Sequence, residues 1–163
     1  MTSTLNLARI AALIAIFGFF LPWAEVSCSG APLVHETGIQ LITGGADTAA
    51  PGHHDLWVAA ALAFIVVGLA GGLLLRGRRA AMILAAAAFA AAAASLIGVS
   101  QEVPSAEVQA QLAAGPSGGG DAGEFIGAKL EYGYFVTLGG LIVAIAGAGL
   151  ALAGQRAPRS EPR

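Results

Sequence analysis

The chain has 163 residues, of which 56% are hydrophobic and only 11% are charged, with a mean hydropathy of +0.76. A soluble domain of this size carries about 25% charged residues, so the composition argues against a soluble globular protein, and its high hydrophobicity argues against a disordered one. The net charge of −2 gives no basic patch for nucleic acid, and a single cysteine cannot form an internal disulfide framework or a CxxC redox pair.

Four apolar segments have the length of a membrane-spanning helix, which takes about 20 residues within a range of about 17 to 25. They are residues 7–23, 56–75, 80–100 and 132–153. The predicted fold class is therefore an all-α integral membrane protein, an antiparallel four-transmembrane-helix bundle. Residues 1–155 are predicted to form a single domain, followed by a basic cytoplasmic tail at 156–163.

The first apolar segment could also be a cleaved signal peptide, or Cys28 could be a lipidated cysteine. Segment 7–23 is long and ends on Pro22 and Trp23 rather than on a small-residue cleavage site. Glu25 precedes Cys28 where a lipoprotein signal expects an aliphatic residue. A retained helix is the prediction.

The charges are sorted by sign along a four-span chain, and the positive-inside rule then gives its orientation. Nine of the ten acidic residues fall in the two long loops, 24–55 and 101–131, and Lys129 is the one basic residue there. Both termini are thus predicted to be cytoplasmic, in a cell inner membrane. The basic residues on the cytoplasmic side are Arg9, Arg76, Arg78, Arg79, Arg156, Arg159 and Arg163.

Four aromatic residues fall at the predicted outer ends of helices, where membrane proteins often carry an aromatic belt. Trp23, Trp57, Tyr132 and Tyr134 are therefore predicted to be interface anchors.

The two long loops are predicted to differ. Loop 24–55 contains three short β-like runs, at 25–28, 32–35 and 38–43, separated by glycine and proline. In loop 101–131, Ser105 is expected to cap a short helix that runs through Ala114, and the glycine-rich run 115–120 is expected to be a flexible linker. Such loops either bind an external partner or simply cover the bundle.

Small residues at helical spacing predict where helices pack, because close backbone approach drives helix association in lipid. The alanine-rich run 85–94 favours a central, tightly packed third helix. The packing is expected within the bundle rather than against another protein. The predicted packing residues are Gly68, Gly72, Gly140, Ala144, Gly147 and Ala148.

The apolar segments carry no ionisable residue near their centres, where transporters and pumps usually place one. They also carry no histidine for haem ligation. The sequence therefore predicts a protein that is not an enzyme and holds no cofactor, with transport or channel activity as a less favoured option.

The three histidines all lie in the first loop, and they leave one alternative open. His53 and His54 precede Asp55, and together with His35 and Glu36 they offer imidazole and carboxylate ligands suited to zinc or copper. Adjacent histidines lack helical ligand spacing, and Asp55 is also explained by the helix dipole. No metal site is therefore assigned from the sequence.

Trp23 followed by Cys28, after the first span of a four-span chain with a β-like first loop, resembles the claudin-like tetraspan plan. That plan carries a second loop cysteine, which this chain lacks. The resemblance covers topology and two residues, and no family or function is carried over from it.

The leading functional prediction is a non-catalytic accessory or structural subunit of a larger membrane assembly. It would bind other integral membrane subunits, or copies of itself, through small-residue helix faces and outer loops. The alternative is an extracytoplasmic ligand- or metal-binding sensor.

Overall fold

The computed structural model describes residues 2–28, 31–44, 55–113 and 126–154. The described chain is mostly helical, with one small sheet at one end. The elements in chain order are α1 (Thr2–Gly18), β1 (Pro22–Cys28), β2 (Ala31–Thr37), α2 (Gly38–Thr43), α3 (Leu56–Leu74), α4 (Gly77–Ala113), β3 (Ile126–Leu130) and α5 (Tyr132–Gly154).

Three helices are long and apolar enough to cross a membrane: α3, the Gly77–Ser100 part of α4, and α5. By length and composition they are compatible with the predicted membrane protein, and three of the four predicted spans are represented among them. Helix α1 is also apolar, but with 17 residues it lies at the short limit for a membrane span.

The long helices form a ring in the order α1, α5, α4, α3, in which each helix packs on the next. A smaller contact between α1 and α3 closes the ring. One end, hereafter the arginine end, holds Arg9 and the turn between α3 and α4. The other, hereafter the sheet end, holds the three strands and α2. Arg9 joins two helices at the arginine end, because its Nε and Nη2 donate to the carbonyl oxygen of Gly72, the Nε at 3.0 Å, near the C-terminus of α3.

The predicted packing glycines lie at contacts between helices inside the chain. A Cβ built at Gly68 would lie 2.5 Å from the Cβ of Ala87, so α3 and α4 approach closely there. On α5, a Cβ at Gly140 would lie 2.8 Å from the carbonyl oxygen of Ala11 on α1. The other predicted packing residues, Gly72, Ala144, Gly147 and Ala148, are also buried.

The first helix is shifted from its predicted position. It was expected over 7–23, whereas α1 covers Thr2–Gly18 and the chain has turned into β1 by Pro22. After Gly18 the N–H groups of Phe19, Phe20 and Leu21 bond to the carbonyl oxygen three residues back, and Pro22 has no N–H with which to continue the helix.

The β-like run predicted at 38–43 is wrong, because this segment is the short helix α2. Thr37 caps it: the Thr37 side chain accepts from the backbone N–H of Gln40 at 3.2 Å, and the Gln40 side chain accepts from the backbone N–H of Thr37 at 2.8 Å. This reciprocal arrangement is a capping box, which stabilises the first turn of a helix. The other two predicted runs do form strands, β1 and β2.

The second loop also differs from its prediction. Helix α4 continues through Pro104 to Ala113, so Ser105 does not start a separate helix. Alanine, glutamate and glutamine on both sides of the proline are strong helix formers and favour continuation. Strand β3 was not predicted at all. The glycine-rich run 115–120 and the tail 156–163 lie outside the described residues.

We expect the contact at Gly140 to be sensitive to a single methyl group. Gly140→Ala places a Cβ against the α1 backbone at both Ala11 and Ala15 and should lower the free energy of unfolding by about 1–3 kcal/mol through overpacking. Denaturation in detergent micelles, followed by circular dichroism, measures the change.

Gly139→Ala is the matched control on the same helix, since a Cβ there has no neighbour within 4 Å. It should leave stability unchanged or slightly raised, because alanine favours the helix over glycine. Equal losses in the two variants would contradict the packing described for α1 and α5.

Candidate functional site at the sheet end

The sheet joins segments from both long loops. Its order is β2-β1-β3, and both pairings are antiparallel. The first loop supplies the β1–β2 hairpin, and the second supplies β3, which enters on the open side of β1. A structure of this kind gives an exposed surface a fixed shape, which isolated loops lack.

Trp23 fastens this sheet to the helices. Its ring is fully buried, and its Nε1 donates to the carbonyl oxygen of Gly18 at 3.0 Å. The ring centroid lies 4.7 Å from that of Phe19 and 5.6 Å from that of Tyr134. This aromatic cluster links β1 to α5 and to Phe19, the residue that follows α1. Gly38 lies against two of these rings, since a Cβ there would be 2.9 Å from an atom of both Phe19 and Trp23.

The position of Trp23 follows from an irregularity in the strand pairing. Pro22 pairs with Thr37 and Ala24 pairs with Glu36, so Trp23 is an extra residue in β1. Such a bulge redirects the side chains on either side of it. Here it allows Trp23 to enter the core while the next residues continue along the sheet.

Backbone hydrogen bonds add further connections at this end. The N–H of Glu131 donates to the carbonyl oxygen of Trp23 at 2.8 Å, and the N–H of Ile39 donates to that of Phe19 at 3.1 Å. The N–H of Asp55 donates to the carbonyl oxygen of Leu41 at 3.0 Å. The start of α3, the helix α2 and the start of α5 are therefore all tied to the sheet end.

Asp55 caps α3. Its Oδ1 accepts from the backbone N–H groups of Trp57 at 2.7 Å and Val58 at 3.1 Å, which satisfies two donors at the helix N-terminus. Its Oδ2 is buried and has no hydrogen-bond partner among the described residues. That oxygen faces Gly98 of α4, where a Cβ would lie only 2.7 Å away.

Three side chains with metal-binding atoms converge on the sheet. Glu25 of β1, His35 of β2 and Glu131, next to the end of β3, each place one such atom within 4.8 Å of the others. Glu25 and Glu131 are half-buried, and His35 is exposed. This group is hereafter called the Glu–His–Glu cluster.

The structure describes only part of the metal-ligand set that the sequence left open as an alternative. Asp55 serves as a helix cap, while His53 and His54 lie outside the described residues. His35 instead meets two glutamates. Sequence reasoning missed this role of Glu25 and Glu131, because no local motif joins three residues on different strands. The β-like character of 25–28 and 32–35 was the signal that could have paired Glu25 with His35.

Two of the four predicted interface anchors are buried in the core. Trp23 and Tyr134 are 0% and 4% exposed, so neither ring reaches the surface, because both are used by the aromatic cluster. Trp57 and Tyr132 are exposed by 44% and 55%. At the opposite end, Arg76, Arg78 and Arg79 are all exposed.

Comparison with protein families, curated proteins and solved structures finds no match to this chain.

We expect the sheet end to depend on Trp23. Trp23→Ala removes a fully buried ring and its hydrogen bond and should lower the free energy of unfolding by about 3–5 kcal/mol. Trp57→Ala, at an exposed position, is the matched control and should cost clearly less. Denaturation in micelles compares the two, and a larger loss at Trp57 would count against the aromatic cluster as the anchor of the sheet.

Proposed function

We propose that this protein is a multi-pass inner-membrane protein that serves as a non-catalytic accessory or structural subunit of a larger membrane assembly. In this proposal α1, α3, the first part of α4 and α5 cross the membrane as an antiparallel four-helix bundle. The arginine end faces the cytoplasm, with both termini, and the sheet end faces outward as the docking surface.

The many large apolar side chains exposed on the outside of the helices, hereafter the apolar band, support membrane insertion. In water such a band would be unfavourable, whereas lipid or another apolar helix can cover it. Helix α1 contributes five exposed large apolar side chains, which supports its role as the fourth span. Its exposed apolar residues are Leu7, Ile10, Leu13, Ile14 and Phe17.

Charge at the two ends supports the orientation. The exposed Arg76, Arg78 and Arg79 lie at the arginine end, and the positive-inside rule favours such residues on the cytoplasmic side. Glu25 and Glu131 lie at the sheet end, on the other side of the bundle.

The docking role is supported chiefly by one observation: the buried Trp23 attaches the sheet to the helices. Binding surfaces are often loops held by a rigid scaffold. Here strands from two loops are held by a buried aromatic cluster and by backbone hydrogen bonds at residues next to the ends of α1 and α5. That arrangement suits recognition of a partner with little loss of chain entropy on binding.

The helix faces available to a partner differ from those expected from the sequence. The small-residue faces with Gly68 and Gly140 are covered within the chain. Contacts with other membrane subunits would therefore use the outer faces, including the side of α5 on which Gly139 and Gly149 have no neighbour within 4 Å.

A second candidate function is metal binding at the sheet end, which the convergence of Glu25, His35 and Glu131 favours. Transport is less well supported. Among the described residues, the buried side chains between the helices are mostly alanine, and the buried polar ones are Asp55, Ser95 and Thr137.

The orientation can be tested by cysteine labelling in intact cells. In a Cys28→Ser background, Lys129→Cys should react with a membrane-impermeant maleimide from outside, since Lys129 is exposed at the sheet end. Arg78→Cys, the matched variant at the arginine end, should react only after the membrane is permeabilised. The reverse pattern, or reaction of both from one side, would refute the topology.

The accessory role can be tested by purification in mild detergent. We expect the chain to elute with other membrane proteins or with copies of itself, and light scattering should give a protein mass above the 16.2 kDa of one chain. Crosslinking before solubilisation then separates self-association from a mixed assembly by the mass of the product. A chain that is monomeric both in crosslinked membranes and in every mild detergent would exclude this function.

A further inference from the structure

The geometry of the sheet brings the Glu–His–Glu cluster together on one face. Glu25 pairs directly with His35 on β2 and with Lys129 on β3. Residues directly opposite one another in antiparallel strands place their side chains on the same face, with Cβ atoms about 4.5–5.5 Å apart. Glu131 follows Lys129 by two residues and therefore returns to that face.

The backbone holds these positions before any ligand arrives. Glu25 lies in the central strand and is bracketed by pairings on both sides. The N–H of Glu131 donates to the carbonyl oxygen of Trp23, two residues before Glu25, at 2.8 Å. Since Trp23 is itself fixed in the aromatic cluster, the two carboxylates are held near each other by the fold.

The distances suit a small cation. Zinc binds imidazole nitrogen and carboxylate oxygen at about 2.0–2.2 Å, so ligand atoms around a tetrahedral ion lie about 3.3 Å apart. The three donor atoms lie within 4.8 Å of one another, and small side-chain rotations would bring them to that spacing. The exposed His35 leaves the position open to the solution.

Charge also favours a cation at this position. Two carboxylates held this close repel each other, and a divalent ion between them turns that repulsion into attraction. Lys129, opposite Glu25, offers one positive charge against two negative ones.

From these observations we infer that the sheet end binds one divalent transition-metal ion, with Zn²⁺ as the matching ion, through Glu25, His35 and Glu131. One imidazole and two carboxylates form a ligand set suited to zinc. Three protein ligands leave a fourth position for water or an outside ligand. The ion would join β1, β2 and the start of α5. This inference rests on the second candidate function, for which it specifies the ion and its ligands, and it does not depend on the accessory role.

The test is calorimetric titration of ZnCl₂ into the full chain in detergent micelles, with the protein carrying no polyhistidine tag. We expect one ion per chain. Glu25→Gln, His35→Ala and Glu131→Gln should each weaken binding about tenfold or more, because even residues that only orient metal ligands contribute 10- to 100-fold. Both glutamine substitutions keep the size of the side chain, and Glu131→Gln keeps the backbone bond to Trp23.

Two control variants locate the site. Glu36→Gln removes a neighbouring carboxylate on β2 outside the cluster, and His53→Ala with His54→Ala removes the other two histidines. Both should bind zinc as the unchanged chain does. Lys129→Met should bind zinc at least as tightly, since it removes a competing positive charge.

A second measurement separates metal binding from general damage to the fold. Zinc should raise the thermal unfolding midpoint of the unchanged chain, since a ligand that binds only the folded state stabilises it. At the same zinc concentration it should raise the midpoints of the three cluster variants by clearly less. The inference is overturned if the unchanged chain shows neither binding heat nor a thermal shift, or if binding is lost with His53 and His54 rather than with His35.

Discussion

Close contact between helix backbones, with little side chain between them, is the constraint on which the rest of this structure depends. Lipid gives helices almost no hydrophobic reason to associate, so packing depends on how closely their backbones can approach. At Gly140 of α5 and Gly68 of α3 the space for a side chain is already filled by the neighbouring helix. In α4 the alanine run follows the same principle on one face of the helix, where Ala88, Ala91 and Ala94 are buried, while Phe89 is exposed.

This packing decides where the larger side chains lie. Since the interior admits mainly alanine and glycine, most leucine, isoleucine, valine and phenylalanine side chains of the helices are on the outer surface, where lipid can cover them. The polar groups are similarly constrained. Thr137, buried between α1 and α5, donates to the carbonyl oxygen of Gly133 at 3.0 Å within its own helix and lies 3.4 Å from that of Ala15. A buried hydroxyl thus adds a link between the helices without leaving a donor unsatisfied.

Three of the four predicted spans correspond to helices long and apolar enough to cross a membrane, and the sequence could predict them because span length is a local property. Prediction from the sequence fails where the outcome depends on tertiary contact. Trp23 at the end of an apolar run fits a membrane-interface anchor, but a bulge in β1 turns it into the core. Strand β3 could not be found from its own residues, since it is stabilised by pairing with β1, far away in the chain. The same distance hides the grouping of Glu25, His35 and Glu131.

The sheet end is connected through the chain to the ends of two helices, α1 and α5. Glu25 lies two residues beyond Trp23, which is packed against α1, and Glu131 immediately precedes α5. Any ligand or partner that holds Glu25 and Glu131 together therefore also holds the ends of α1 and α5 together. Close glycine contacts continue to this end of the pair, where a Cβ at Gly133 would lie 2.5 Å from the carbonyl oxygen of Pro22. Binding at the sheet would add a restraint at the same end. The pairing of strands from two separate loops thus connects α1 and α5, whose small side chains make few dispersion contacts with each other.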